Sequence, residues 1–327
     1  MPDVVNVMEE FNTALSVRES QQWLEMGGQW KKVQETLQLY IGRLADEIDA
    51  RRTAGMAVNS SALYKLDRYK DLLKQVKDEA RSYETYASRV ISGEQSAYGE
   101  IGIEAAQAGI RAAGYTAQFN RINTRAIQDM VGITGDGGPL FDLLKKRALA
   151  PDMVSGLTNA MIEAVSLGYN PVETAGLMAR GLNQGLSKAL TIARTEQIRV
   201  YRQASFDQYA ASGVVDQWQR FAAKSERTCL VCLALDGQIQ KVGTLFASHP
   251  NCRCYVVPII SGMPYSPRQS GQDWLANKPA EFQQKVLGGY YNLYKNGTPL
   301  EKMVNVVEDP TWGPTLRAVP MKDLVTE

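Results

Sequence analysis

Proline is absent between Pro2 and Pro139, whereas nine of the thirteen prolines, Pro250 to Pro320, crowd the last quarter of the 327 residues. A proline inside a helix removes a backbone hydrogen bond and clashes with the preceding turn. The first third can therefore be continuously helical and the last quarter cannot. Within the proline-free stretch Leu66, Tyr69, Leu73, Val76, Ala80, Tyr83, Ala87 and Val90 recur at alternating steps of three and four, the seam of a long amphipathic or coiled helix. Val33, Leu37, Ile41, Leu44 and Ile48 make a shorter stripe of the same kind. Joined through the polar stretch AGMAVNSSA, two such helices form an antiparallel hairpin, packed within its own domain or protruding as an arm towards another subunit.

The glycine-rich GITGDGG at 132–138, closed by Pro139, reads as a loop, since no GK[ST] follows and no strand precedes it. Asn170, Pro171 and Glu173 supply an N-cap, a first-turn proline and a capping-box acid. A long helix runs from about Leu186 to a stop at Gly213. Beyond it VVDQWQRFA, GQIQKVGTLF and CYVVPII read as short strands, and after Ser261 the chain is loop-rich with one good helix around PAEFQQKVLGGYYNLYKNG. The expected fold is mainly α with a small α+β module: a helical arm or hairpin over 1–137, a helical part over 138–213, a β module over 214–262 and a C-terminal segment over 263–327 with one or two helices.

Thirty-six basic and thirty-five acidic residues leave a net charge of +1, which demands no nucleic-acid partner. The opening MPDVVNVMEEFNTAL lacks the basic-then-apolar order of a secretion signal, and no apolar run reaches membrane-spanning length. These features lead to an expectation of a soluble chain made in a reducing cytoplasm, where cysteines favour metal binding or plain thiols over disulfides.

Cys229, Cys232, His249, Cys252 and Cys254 are every cysteine and histidine in the chain, and they fall within 26 consecutive positions. Zinc takes four tetrahedral nitrogen or sulfur ligands, and Cys-x2-Cys lets one tight turn aim two thiolates at the same ion. Here CLVC is followed, sixteen residues later, by His249-x2-Cys252. Either Cys252 or Cys254 completes the set, because alternation along a strand puts both on one face. Disulfides, a redox pair and a cysteine nucleophile are the competing readings, and a closed structural zinc site accounts for more of the residues than any of them.

ARTE (Ala193 to Glu196), then GVVDQWQRFAAKSERTCLVCLALDGQ, then HPNCRC, then DWLANKPAEFQQKVLGGYYNLYKNGTPLEKMV and TWG at 311–313 resemble the head-morphogenesis domain of the Mu F-like minor head proteins of tailed bacteriophages. The resemblance covers about 139–325. It implies a minor, non-enzymatic component of the virion head, made in the bacterial cytoplasm and associated with the portal, with scaffold and major capsid protein as further candidate partners. Procapsid assembly and genome packaging or delivery are the implied roles, with no membrane or small-molecule substrate.

Arg194 and Glu196 stand two apart on a helix and cannot face each other, so each needs another partner. Arg194 is expected to brace the zinc module, Glu196 to accept from Arg199 or Arg253, and Arg253 to donate to carbonyls beside the metal. Trp218, Trp274 and Trp312 read as packing residues. A zinc hydrolase or nuclease lacks a second imidazole to act as base. A DNA-binding zinc module has only Lys224, Arg227, Lys241 and Arg253 to offer, so any contact with packaged DNA is weak.

Overall fold

The computed structural model describes residues 3–115, 149–244, 246–263, 268–309 and 312–324. Its helices are α1 (Val4–Thr53), α2 (Ser60–Leu63), α3 (Asp67–Ala112), α4 (Leu149–Leu167), α5 (Pro171–Gly181) and α6 (Asn183–Ser212). Strand β1 (Val215–Phe221), helix α7 (Leu230–Ala234), β2 (Ile239–Lys241) and β3 (Tyr255–Ile260) come next. Helices α8 (Gly271–Ala276), α9 (Ala280–Leu287) and α10 (Tyr291–Lys295), a hairpin of β4 (Val304–Asp309) and β5 (Gly313–Ala318), and α11 (Met321–Leu324) follow. The fold is mostly helical with a small antiparallel module. No helix among the described residues is long and apolar enough to cross a membrane.

The chain forms two compact units from interleaved segments: Met1–Val17, Glu94–Val131 and Arg194–Glu327 in the first, Arg18–Gly93 and Gly132–Ala193 in the second. These units cut across the four consecutive stretches laid out from the sequence. The expected glycine-rich loop at 132–138 lies outside the described residues.

In the second unit α1 and α3 run antiparallel. Arg68 Nη1 donates to the Arg43 carbonyl at 2.8 Å, Tyr83 Oη donates to the Met26 carbonyl at 3.1 Å, and the Trp30 and Tyr83 rings meet edge-on at 4.8 Å. All five residues of the Val33 to Ile48 stripe are buried. The facing seam departs from expectation at two places: Leu72 and Ile91 are buried where Leu73 and Val90 were expected, both of which sit half-buried at its margin. A helix turns once per 3.6 residues, so a strict three-four alternation drifts off the contact line. The seam is covered inside its own unit, where Trp30 Nε1 donates to Asn183 Oδ1 at 3.0 Å. Helix α5 starts with the expected capping box, Asn170 Oδ1 accepting from the Glu173 amide at 2.9 Å and Glu173 Oε2 from the Asn170 amide at 3.1 Å.

In the first unit a three-stranded antiparallel sheet of order β2-β1-β3 is packed on both faces. Phe221, Tyr255 and Val257 meet Met8, Leu15, Tyr98 and Tyr201 on one side, and Trp218, Val256 and Ile260 meet Ala106, Ile110 and Tyr209 on the other. Alternation along the strands produces this two-sided burial. Helix α6 ends at Gly213, whose φ of 65° belongs to the left-handed cap that glycine adopts without strain. Trp218 is 1 % exposed and packs on Phe206 and Phe246, while Trp274 meets Phe282 edge-on at 5.7 Å.

The segment after residue 262 is more ordered than the loop-rich reading with one or two helices allowed, and the β4–β5 hairpin corrects it. Its residue pairs run from Val304 with Ala318 to Asp309 with Gly313. Six short elements built around Pro279, Pro299, Pro314 and Pro320 give no long periodic signal. Leu275, Leu287, Leu300 and Met303 nevertheless form one core with Leu230, Leu233 and Ala234 of α7.

Candidate metal centre

Helix α7 has two faces. Cys229 is its N-cap, its sulfur makes no capping bond, and Cys232 lies three residues on, so both thiols leave the same side. Leu230, Leu233 and Ala234 leave the other side for the C-terminal core. The second half of the cluster sits on a turn closed by the Cys252 amide donating to the His249 carbonyl at 3.1 Å. Asn251 adopts a left-handed φ of 65° there, a conformation asparagine tolerates better than most side chains.

Two braces hold that turn. Arg194 Nη1 donates to Asn251 Oδ1 at 3.2 Å, and the Asn251 amide donates to Thr195 Oγ1 at 3.1 Å, so ARTE fastens α6 to the residue before Cys252. On the other side the Leu316 amide donates to the Ser248 carbonyl at 2.9 Å, extending an isolated bridge between Ser248 and Thr315. Glu196 is 4 % exposed and accepts from Arg199 Nε and Nη2 at 2.9 and 2.8 Å. Arg194 and Glu196 are thus buried with partners. Arg253 lies half-buried between the two late cysteines.

The structure brings all five candidate ligands together. His249 Nε2 lies 3.2 Å from Cys229 Sγ and 3.1 Å from Cys232 Sγ, and Cys232 Sγ lies 3.9 Å from Cys252 Sγ. Cys232, Cys252 and Cys254 form a second group whose sulfurs lie within 4.8 Å of one another. His249 Nδ1 is 2.7 Å from the Pro250 carbonyl. A carbonyl oxygen only accepts, so Nδ1 carries a proton and Nε2 is the ring nitrogen turned towards the sulfurs, the one a metal ion would take in place of a proton. Metal–ligand bonds of about 2.0–2.3 Å in a tetrahedron separate the donors by roughly 3.3–3.8 Å. The soft N,S donor set suits such an ion, and the donors stand close to that spacing, just short of it at His249 and just beyond it between Cys232 and Cys252, as two trios that share Cys232. All four cysteines are free thiols, and the Cys232–Cys252 separation is nearly twice the ~2.05 Å of a disulfide bond.

Without an ion the cluster holds charge internally. A hydrogen bond from Cys232, with help from His249, outweighs burial and brings the Cys229 thiol down to about 4. Burial acts to lower the His249 pKa, but hydrogen bonds and charge from Cys229 and Cys252 overcome it and lift it to about 10. Cys252 is lowered by hydrogen bonds from Cys232 and Cys254 and by the Arg202 charge, whereas hydrogen bonding to Cys229, Cys252 and Cys254 raises Cys232.

Sequence reasoning missed the residue that does most around these sulfurs. Arg202 is buried; its Nε donates to the Cys254 carbonyl at 3.0 Å, and its Nη2 donates to the Cys252 carbonyl at 3.1 Å and to Cys252 Sγ at 3.4 Å. Its guanidinium and that of Arg220 both lie on the Phe246 ring, 4.3 and 3.9 Å from the centroid. The available signal was its place eight residues, about two turns, beyond Arg194 on the same helix. Asp236 is buried outside the cluster, accepting from the Ala222 amide at 2.6 Å and pairing with Lys224 Nζ at 3.0 Å. Lys224, a candidate DNA contact in the sequence, is therefore committed inside the fold.

No curated protein and no solved structure matches the chain. Residues 155–257, which contain ARTE, the whole sheet except its last residues and all five clustered candidate ligands, match the family model described as Phage Mu protein F like protein, and the chain thus carries a Mu F-like region of the phage head-morphogenesis kind.

Proposed function

We propose that the chain is a structural minor head protein of a tailed phage, acting in procapsid assembly and in genome packaging or delivery beside the portal. The match over 155–257 carries this reading. Within it Cys229, Cys232, His249 and Cys252 hold a structural zinc ion, with Cys254 as the alternative fourth ligand. The bound ion supplies no reaction; it cross-links α7 to the 249–252 turn, two short pieces that otherwise share a small core of Ala222, the cysteines and Phe246. Arg202 and Arg194 position the late half of the ligand set, and α7 positions the early half. Four ligands close the coordination sphere, which supports a stapling role over a hydrolytic one.

Purification of procapsids and mature particles, with a copy count of this chain relative to portal, tests the head assignment. A few copies per particle are expected, and absence from procapsids would defeat it. Metal analysis of the purified protein is expected to find about one zinc per chain, with thiols slow to react until a chelator is added. Metal-free protein with reactive thiols and unchanged folding would remove the staple.

A further inference from the structure

Apart from the cysteine cluster, the first unit has a cleft of about 290 Å³ between the two sheets. Trp218 and Arg220 of β1 line it, with Gln238 and Gln240 on the β2 side and Val304 and Val306 on the β4 side. Among the described residues both walls are open-edged strands: β2 ends the order β2-β1-β3, and β4 pairs only with β5. An open edge presents unpaired amides and carbonyls that accept another strand. Val306 on β4 exposes a large apolar side chain at 56 % in the lining, and Ile239 on β2, at 41 %, points to the opposite face of its sheet.

The lining carries an unmet demand for acceptors. Trp218 Nε1 and Arg220 Nε are buried and have no hydrogen-bond partner among the described residues. Arg220 is 2 % exposed and spends Nη2 on the Ala247 carbonyl, and no carboxylate pairs with it among the described residues. Buried donors are normally satisfied, and a buried cation is costly without a countercharge. The groups missing are hydrogen-bond acceptors; a carboxylate would supply them and add a countercharge beside Arg220, whose charge otherwise falls on the Cys254 thiol.

We propose that this cleft is a docking site for an extended acidic peptide segment of a partner protein, which adds a strand along the open edges and presents a carboxylate to Arg220 and Trp218. The apolar residues alternating with the acid turn to the other face and pack on Ile239, since neighbouring side chains of a strand point to opposite faces, while the acid lies in the cleft beside Val306. This inference stands on the geometry of the cleft and needs neither the zinc ion nor the head assignment.

The test follows the 15N-labelled indole N–H of Trp218 in the full chain during titration with a blocked five-residue peptide alternating valine and aspartate, and with its valine–lysine counterpart. The aspartate peptide is expected to shift that resonance saturably, and the lysine peptide is not. Two exposed positions give opposite signs while sparing the core: Glu301→Lys removes a like charge from the rim and should tighten binding about two- to fivefold, and Val306→Glu should weaken it by a similar factor. Equal shifts with both peptides, no shift at millimolar aspartate peptide, or a response to single-stranded oligonucleotide in place of peptide would each overturn the proposal.

Discussion

Arg202 Nη2 donates to both the carbonyl and the sulfur of Cys252, at 3.1 and 3.4 Å. This double contact fixes where the sulfur points and favours its thiolate. Outer partners of this kind typically account for 10–100-fold in metal affinity. Arg202→Met keeps the helical length and apolar stem, and it is expected to lower affinity by about that factor. Competition between the protein and a chelator, read through the cobalt–thiolate absorption of the cobalt-substituted form, checks this; unchanged affinity would limit Arg202 to packing.

Lys224 and Asp236 form an ion pair whose side chains are 7 % and 0 % exposed. Removing one partner of such a pair leaves a buried charge, which costs about 3–5 kcal/mol. Asp236→Ala is expected to fall in that range and Lys224→Met to cost less, because Asp236 keeps the Ala222 amide as donor. Denaturant unfolding of the two variants measures the difference, and equal costs would contradict it.

Gly156 lets α4 and α5 touch: a Cβ there would lie 2.1 Å from the Gly181 carbonyl oxygen, a backbone atom that cannot swing away. Gly156→Ala should therefore cost about 1–3 kcal/mol or more by forcing the helices apart. Gly176→Ala, where the nearest atom is Arg180 Nη1 at 3.7 Å, should be neutral or stabilise by up to ~1 kcal/mol through helix propensity. Thermal melts should show Gly156→Ala lowered and Gly176→Ala unchanged or raised.

Burial raises the Glu84 carboxyl above its usual 4.5, against the Leu149 amide that hydrogen-bonds its charged form. The folded chain thus holds this proton more tightly than the unfolded chain. Its contribution is fully present below about 4.5 and is lost as pH rises through the folded value. Glu84→Gln should flatten the decline in stability just above pH 4.5, and an unchanged slope in pH-resolved melts would argue against burial as the cause.

Legibility followed the length of the signal. Helices α1, α3 and α6 and the α5 cap were readable because stripes, caps and a terminating glycine repeat over many residues. The clustering of the four cysteines and the histidine was readable because their residue types occur nowhere else in the chain. The β4–β5 hairpin was not, since two short strands joined through Pro310 and containing Pro314 carry no sustained alternation. Arg202 was hidden for another reason. Nothing in its neighbours distinguishes an arginine aimed at a sulfur from one on a solvated helix face, and only the tertiary path of α6 past Cys252 makes the choice.

Residues 155–193 of the Mu F-like region belong to the second compact unit and residues 194–257 to the first. A fragment cut to the limits of that region takes part of each and completes neither, leaving out Met8, Tyr98 and Ala106 on one side and Trp30 and Leu37 on the other. Homology and foldability have different borders in this chain. A piece meant to fold on its own has to take the flanking helices with it, so the smallest working fragment is larger than the recognisable signature.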